Sequence, residues 1–285
     1  MSPARVFEPL SESAPLAWTL APRLCRVDPV TGENCAWEHG PWQYLRLLGL
    51  LTSPTLHQDF YHACLAELRP ARVLISGSAD YSMLAQAAAV LPNAEFTVVD
   101  RCETPLALNR WYAARAKTRI STWCGDVLEF QSDQPFDLVC THAFFSYFPP
   151  ARRPALVAAW CRVLRPGGAV VTVNRLRPRA TETPAIFAPA DVQTYRAAAL
   201  QAAKRASPGL PIGPAVIADA AEQLARRQRS YGLRSTEDVR VLLESGGFTI
   251  ARLDAQPLAA EQRTGITGPS APGEANYALI MARRR

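Results

Sequence analysis

Two stretches decide the fold: Phe136-Asp137-Leu138-Val139-Cys140 and, further on, Leu164-Arg165-Pro166-Gly167-Gly168-Ala169-Val170-Val171. The first is an apolar run opening on an aspartate. The second joins a Pro-Gly-Gly turn to another apolar run. Between them, Leu156, Val157, Trp160, Val163 and Leu164 recur at helical spacing within Arg152 to Leu164, which predicts strand, helix, strand. Two strands joined by a helical crossover run parallel.

The same alternation extends in both directions. Arg72 to Ile75, Glu95 to Asp100 and Arg119 to Trp123 read as strands, separated by helical patterns over Asp80 to Val90 and Pro105 to Ala116. This predicts an α/β fold with a parallel sheet covered by helices on both faces. From Asn174 the alternation stops. Helical stretches over Asp191 to Arg205 and Ala215 to Tyr231 flank the Pro/Gly segment Ser207 to Pro214. The core pattern resumes with a helix start at Ser235 to Asp238, a stop at Gly246-Gly247, and strands at Phe248 to Leu253 and Asn276 to Met281. Residues 1–33 read as a Pro- and Ser-rich arm or loosely packed cap, followed by helices over Trp42 to Leu51 and Leu56 to Leu68. The expected domains are an N-terminal arm and helical cap (1–68), a core (69–174 with 235–285) and a helical insertion or lid (175–234).

The chain has 285 residues, 48% of them hydrophobic, and a net charge of +6. The basic residues are scattered rather than clustered into a stripe, which argues against a nucleic-acid partner. No apolar run approaches the ~20 residues needed to span a bilayer, and the N-terminus lacks a signal pattern. The seven cysteines form no C-x-x-C pair, so free packing thiols in a reducing cytoplasm are expected. His39, His57, His62 and His142 show no shared ligand spacing beyond His57 and His62, and no metal site is expected.

In an open parallel sheet, ligands bind beyond the carboxyl ends of the strands. Those ends carry Ser76-Gly77-Ser78-Ala79-Asp80, then Asp100-Arg101, Gly125-Asp126-Val127 and Thr141-His142. Small residues before a helix admit close backbone approach, and an acid after the second strand is placed to accept ribose hydroxyls.

With Phe136 to Cys140 and Leu164 to Val171, these residues resemble the class I S-adenosylmethionine-dependent methyltransferases. The resemblance covers roughly Leu68 to Arg175 and Thr236 to Ala282, and it implies a Rossmann-like, seven-stranded, mostly parallel sheet with helices on both faces and a final antiparallel strand. It implies S-adenosylmethionine as cofactor, held by Ser76, Gly77, Ser78, Asp80, Asp100, Arg101, Asp126, Val127 and Thr141. Asp100 matches the ribose acid and Asp126 the acid that meets the adenine amino group. Ile75 stands where the family usually has an acid, and Ala79 and Tyr81 where it has glycines; Asp80 is expected to take over part of that acid's polar role.

The implied reaction is in-line methyl transfer to a small-molecule acceptor, through an O, N, S or C atom left open. Tyr147 and Arg175 are the expected acceptor contacts and His142 the candidate base, with Phe144, Phe145 and Phe148 adding an aromatic wall. The alternatives are a protein of this fold that binds S-adenosylmethionine without methyl transfer or with other chemistry, and a nicotinamide oxidoreductase. A cytoplasmic monomer or homodimer, without membrane or nucleic-acid partners, is expected.

Overall fold

The computed structural model describes residues 6–27, 32–52, 54–207, 209–257 and 276–285. Seven strands form one sheet: β1 (Arg72–Ser76), β2 (Glu95–Asp100), β3 (Ile120–Cys124), β4 (Phe136–His142), β5 (Leu164–Leu176), β6 (Phe248–Pro257) and β7 (Asn276–Arg284). Their order is β3-β2-β1-β4-β5-β7-β6, with β7 antiparallel to both neighbours and the pairs from β3 to β5 parallel. The order reverses between β1 and β4, so the crossovers part there and leave a crevice above the strand ends.

Alternation along the strands explains the two faces. Val73 and Ile75 point to one side, among residues of α3 (Gln58–Leu68), α4 (Ser82–Val90) and α5 (Glu103–Ala116). Leu74 points to the other, with Val139, Trp160 of α6 (Arg153–Val163) and Leu243 of α9 (Thr236–Ser245). Burial on both faces makes these strands continuously apolar.

The segment that opened the sequence reading ties together the N-terminal ends of β1, β4 and β5. Asp137 Oδ2 accepts the N–H groups of Ala71 and Arg72, each at 2.9 Å, while Oδ1 accepts Arg165 Nε at 2.6 Å. Burial opposes its charge, but Arg165 and these N–H groups hold its carboxyl below the usual range. Gly168 is required by space: a Cβ there would lie 2.9 Å from the Arg165 carbonyl oxygen and 3.1 Å from that of Asp137. The expected helix start is also present, with Ser235 Oγ accepting Asp238 N–H at 3.1 Å.

The N-terminal segment departs from the loose arm read in the sequence. It forms α1 (Leu10–Leu24), whose Ala14, Ala17 and Ala21 are fully buried. Two prolines inside the helix and a buried stripe of small residues hid it from a search for large apolar periodicity. α2 (Ala36–Leu47) packs against α1 with Gly40 facing Ala21 and Trp18. These helices share a third core with the insertion helices α7 (Pro189–Ala206) and α8 (Pro214–Arg227), where Tyr44 and Leu45 pack near Tyr195 and Ile217. Cap and insertion therefore form one helical layer. No described helix is long and apolar enough to cross a membrane.

Candidate active site

Above the ends of β1 to β5 lies a cavity of about 760 Å³, lined on the far side by residues of the helical layer. Gly77, Ser78, Asp80, Asp100, Arg101, Asp126 and Val127 all line it. Ser76 and Thr141 do not: both are fully buried in the sheet, where Thr141 Oγ1 donates to the Ser76 carbonyl at 2.6 Å and Trp160 Nε1 donates to Ser76 Oγ at 2.9 Å. Alternation explains the correction, because adjacent residues at a strand end cannot all face one crevice.

The strand-end acids are held mainly by backbone. Asp100 accepts Ser78 N–H at 2.9 Å on Oδ2 and Cys102 N–H at 2.8 Å on Oδ1. Burial raises its pKa to about 6, opposed by the charge of His39 and by these two N–H groups. Each carboxylate oxygen has two lone pairs, so acceptor capacity remains for ligand hydroxyls. Asp126 Oδ1 accepts Leu128 N–H at 3.0 Å, and Oδ2 has no protein partner among the described residues. Gly77 adopts φ +72° beneath the Phe144 ring, where any Cβ would overlap it.

Asp80 has a different set of partners from those the sequence suggested. Its Oδ2 accepts Arg46 Nη1 at 2.7 Å and Trp42 Nε1 at 3.1 Å, and Arg46 also meets both oxygens of Glu8 at 2.7 Å. The Glu8–Arg46–Asp80 group is almost wholly buried. It fastens the cap to the loop after β1.

At the β4 and β5 end, His142 Nδ1 lies 3.0 Å from Tyr61 Oη. Burial, with the nearby charges of His57 and Arg46, lowers its pKa to about 3. His57 lies behind it, 5.8 Å between ring centroids, and burial lowers its pKa to about 4. Burial likewise lowers Arg175, and Arg177 to about 10. Phe144, Tyr147 and Phe148 line the cavity, whereas Phe145 is core against Trp160. Tyr147 Oη donates to Glu38 Oε1 at 3.3 Å.

The cap contributes Trp37, Glu38, Trp42 and Arg46 to the lining, and the end of the insertion contributes Gln228 and Ser230. Sequence reasoning named none of these as site residues, and their apolar spacing marked only helices. Nor did it foresee that Cys25, Cys35, His39 and Cys102 converge beside Asp100, their ligand atoms all within 4.8 Å of one another. Hydrogen bonds from Cys25 and Cys35 hold the Cys102 thiol far below its ordinary range, and the bond to Cys102 holds Cys35 up.

The donor chemistry fits the cofactor of the resembled family. Two carboxylates at adjacent strand ends, a glycine turn and the apolar Val99 and Val127 line one cavity. A nucleoside needs that combination: acceptors for the ribose and base, and apolar flanks for the ring.

Residues 74–168 match a family model described as a methyltransferase domain. No curated protein matches the chain. Among solved structures, an O-methyltransferase family protein from Burkholderia thailandensis is 13% identical with a TM-score of 0.53, over 87% of this chain and 59% of its own length. The 1,6-didemethyltoxoflavin-N1-methyltransferase of the same organism, solved with 1,6-didemethyltoxoflavin and S-adenosylhomocysteine, is 17% identical with a TM-score of 0.52, over 80% of this chain and 78% of its own. An O-methyltransferase-like protein from Nostoc punctiforme is 15% identical with a TM-score of 0.50, over 97% and 70%. At these identities the structures speak for the fold alone, and the domain match speaks for residues 74–168. Residues 74–168 thus match a methyltransferase domain, and the whole chain has the fold that these methyltransferase structures share.

Proposed function

We propose that this protein transfers a methyl group from S-adenosylmethionine to a small-molecule acceptor held in the same cavity. The observation that carries this reading is that Asp100 and Asp126 line one cavity with His142, Tyr147 and Arg175. Asp100 would hold the ribose hydroxyls and Asp126 the adenine amino group. Gly77 and Ser78 would offer backbone to the methionine end. The bound cofactor supplies an activated methyl on a sulfonium, which leaves as a neutral thioether.

The chain's part is then to align the acceptor and exclude water. Phe144, Tyr147 and Phe148 offer an aromatic wall. Arg175 and Arg177 lie half-buried in the cavity lining, where a guanidinium can grip an anionic group on the acceptor. His142, with its pKa lowered to about 3, is neutral near pH 7 and poorly matched to remove a proton there. Its role in this reading is to orient an acceptor through a neutral imidazole. The cap and the end of the insertion form the roof, which favours a small molecule over a polymer.

Incubation with methyl-labelled cofactor and a panel of small aromatic acids, RNA and protein tests the proposal. Label should enter a small molecule, and Arg175→Ala should raise KM for acidic acceptors more than for neutral ones. Label found only in RNA or protein would overturn the closed-pocket reading. Tight cofactor binding with no transfer to any acceptor class would favour a binding protein of the same fold.

A further inference from the structure

Cys25, Cys35, His39 and Cys102 come from three separate places. Cys25 follows the last turn of α1, Cys35 precedes α2, His39 lies one turn into α2, and Cys102 precedes α5. A lone antiparallel bridge between Val27 and Asn34 draws the ends of the α1–α2 connection together. Cys35 and His39, four apart at a helix start, share a face. The result is a set of three sulfurs and one imidazole closing on a single point, with Cys25, Cys102 and His39 buried.

Cys25 Sγ lies 3.5 Å from both Cys102 Sγ and His39 Nδ1. A tetrahedral zinc, with bonds of about 2.3 Å to sulfur and 2.0–2.1 Å to nitrogen, sets ligand–ligand edges near ~3.5–3.8 Å. Packed thiols reach similar separations, so distance alone does not select a metal. Composition does. Three soft thiols and an imidazole, with no carboxylate among the four, suit zinc rather than magnesium or calcium. Two of the thiols sit at helix N-termini, where the backbone dipole favours thiolate. Thr104 Oγ1, 3.1 Å from Cys25 Sγ, can donate to that sulfur as an outer-shell partner.

We propose that Cys25, Cys35, His39 and Cys102 bind one zinc(II) ion that fastens the N-terminal helices to the loop carrying Asp100. Protein ligands fill all four positions, so the site is structural and leaves no open coordination position. The thiol protons pass to solvent as the metal binds, His39 ligates as neutral imidazole, and no electrons move. The proposal does not depend on the acceptor or on methyl transfer.

The test uses the full-length chain, purified with reductant and supplied with zinc. Elemental analysis should find one zinc per chain. Replacement by cobalt(II) should give the thiolate charge-transfer and intense visible bands of a tetrahedral site. Cys35→Ser and His39→Ala should weaken zinc in a chelator competition by at least tenfold. His39→Cys, which restores four ligands, should recover the metal, and Cys124→Ser, outside the cluster, should keep it. If the serine and alanine variants fail to fold, the wild-type metal count and cobalt spectrum decide. Absence of stoichiometric zinc and of the cobalt bands would overturn the proposal. So would metal retained in both Cys35→Ser and His39→Ala, or a Cys25–Cys102 disulfide in the reduced, zinc-supplied protein.

Discussion

The two ends of the cavity are held by different means. Above β1 to β3, Asp100 and Asp126 accept backbone N–H groups of Ser78, Cys102 and Leu128. Their positions follow from the strand ends and turns that carry them. Above β4 and β5, side chains hold one another across long stretches of chain, Tyr61 with His142 and Glu38 with Tyr147, and the cap is fastened in the same way to the loop after β1 by Arg46 with Glu8 and Asp80. The fold fixes the first end, while packing of the helical cap fixes the second. Substitutions at the first should impair ligand binding with little loss of stability, and those at the second should do the reverse.

The largest expected effect lies in the cap. Removing Arg46 strands two buried carboxylates, so Arg46→Ala should cost about 3–5 kcal/mol of stability. Chemical denaturation checks this; a loss below about 1 kcal/mol would mean that the triad contributes little to docking the cap. At the backbone-held end, Asp126→Ala should weaken S-adenosylhomocysteine by roughly tenfold through one lost charge-assisted hydrogen bond. Asp126→Asn, which keeps an acceptor oxygen, should do less harm. Equal affinity in all three proteins would remove Asp126 from the site.

A smaller effect separates the two ends by pH. His142 and His57 have folded pKa values near 3 and 4, below the ordinary 6.5, because burial penalises the charged ring. Between those limits the unfolded chain binds protons that the folded chain refuses. The histidines' contribution is therefore complete above pH 6.5 and is lost as the pH falls towards 3, at up to about 1.4 kcal/mol per unit for each group. Tyr61, Tyr277 and Arg46 are the other titratable groups around the pair. A His57→Gln/His142→Gln variant should flatten that acid limb in urea titrations run from pH 7 to pH 4. An unchanged slope would show that neither histidine is held neutral.

The same contrast decides what could be read from sequence. The strands that open on Arg72, Glu95 and Phe136 announce themselves by apolar runs, and Gly77, Asp100 and Asp126 fall at their ends, so the backbone-held end was legible. Ser76 and Thr141 were assigned to the site because the pattern fixes where a strand ends but not which way its last residues face. The cap was illegible for another reason. The buried stripe of α1 is made of Ala14, Ala17 and Ala21, residues that carry almost no hydropathy signal, and prolines interrupt it. The meeting of Cys25 and Cys35 with Cys102 depends on that unread helix, so no spacing rule within the chain could reveal it. The corrected role of His142 has the same origin, since its lowered pKa comes from burial and from His57 and Arg46, distant in sequence.

The central claim is that the acid at the end of β2 holds the cofactor's ribose. Calorimetric titration of S-adenosylhomocysteine into wild type and Asp100→Ala tests it most directly, with NAD titrated in parallel and zinc content measured for both proteins. The account predicts that wild type binds S-adenosylhomocysteine in preference to NAD. It also predicts that Asp100→Ala loses ~2–4 kcal/mol, thirtyfold or more in affinity, with fold and zinc content retained. Unchanged affinity in a folded Asp100→Ala, or tighter binding of NAD by wild type, would contradict it.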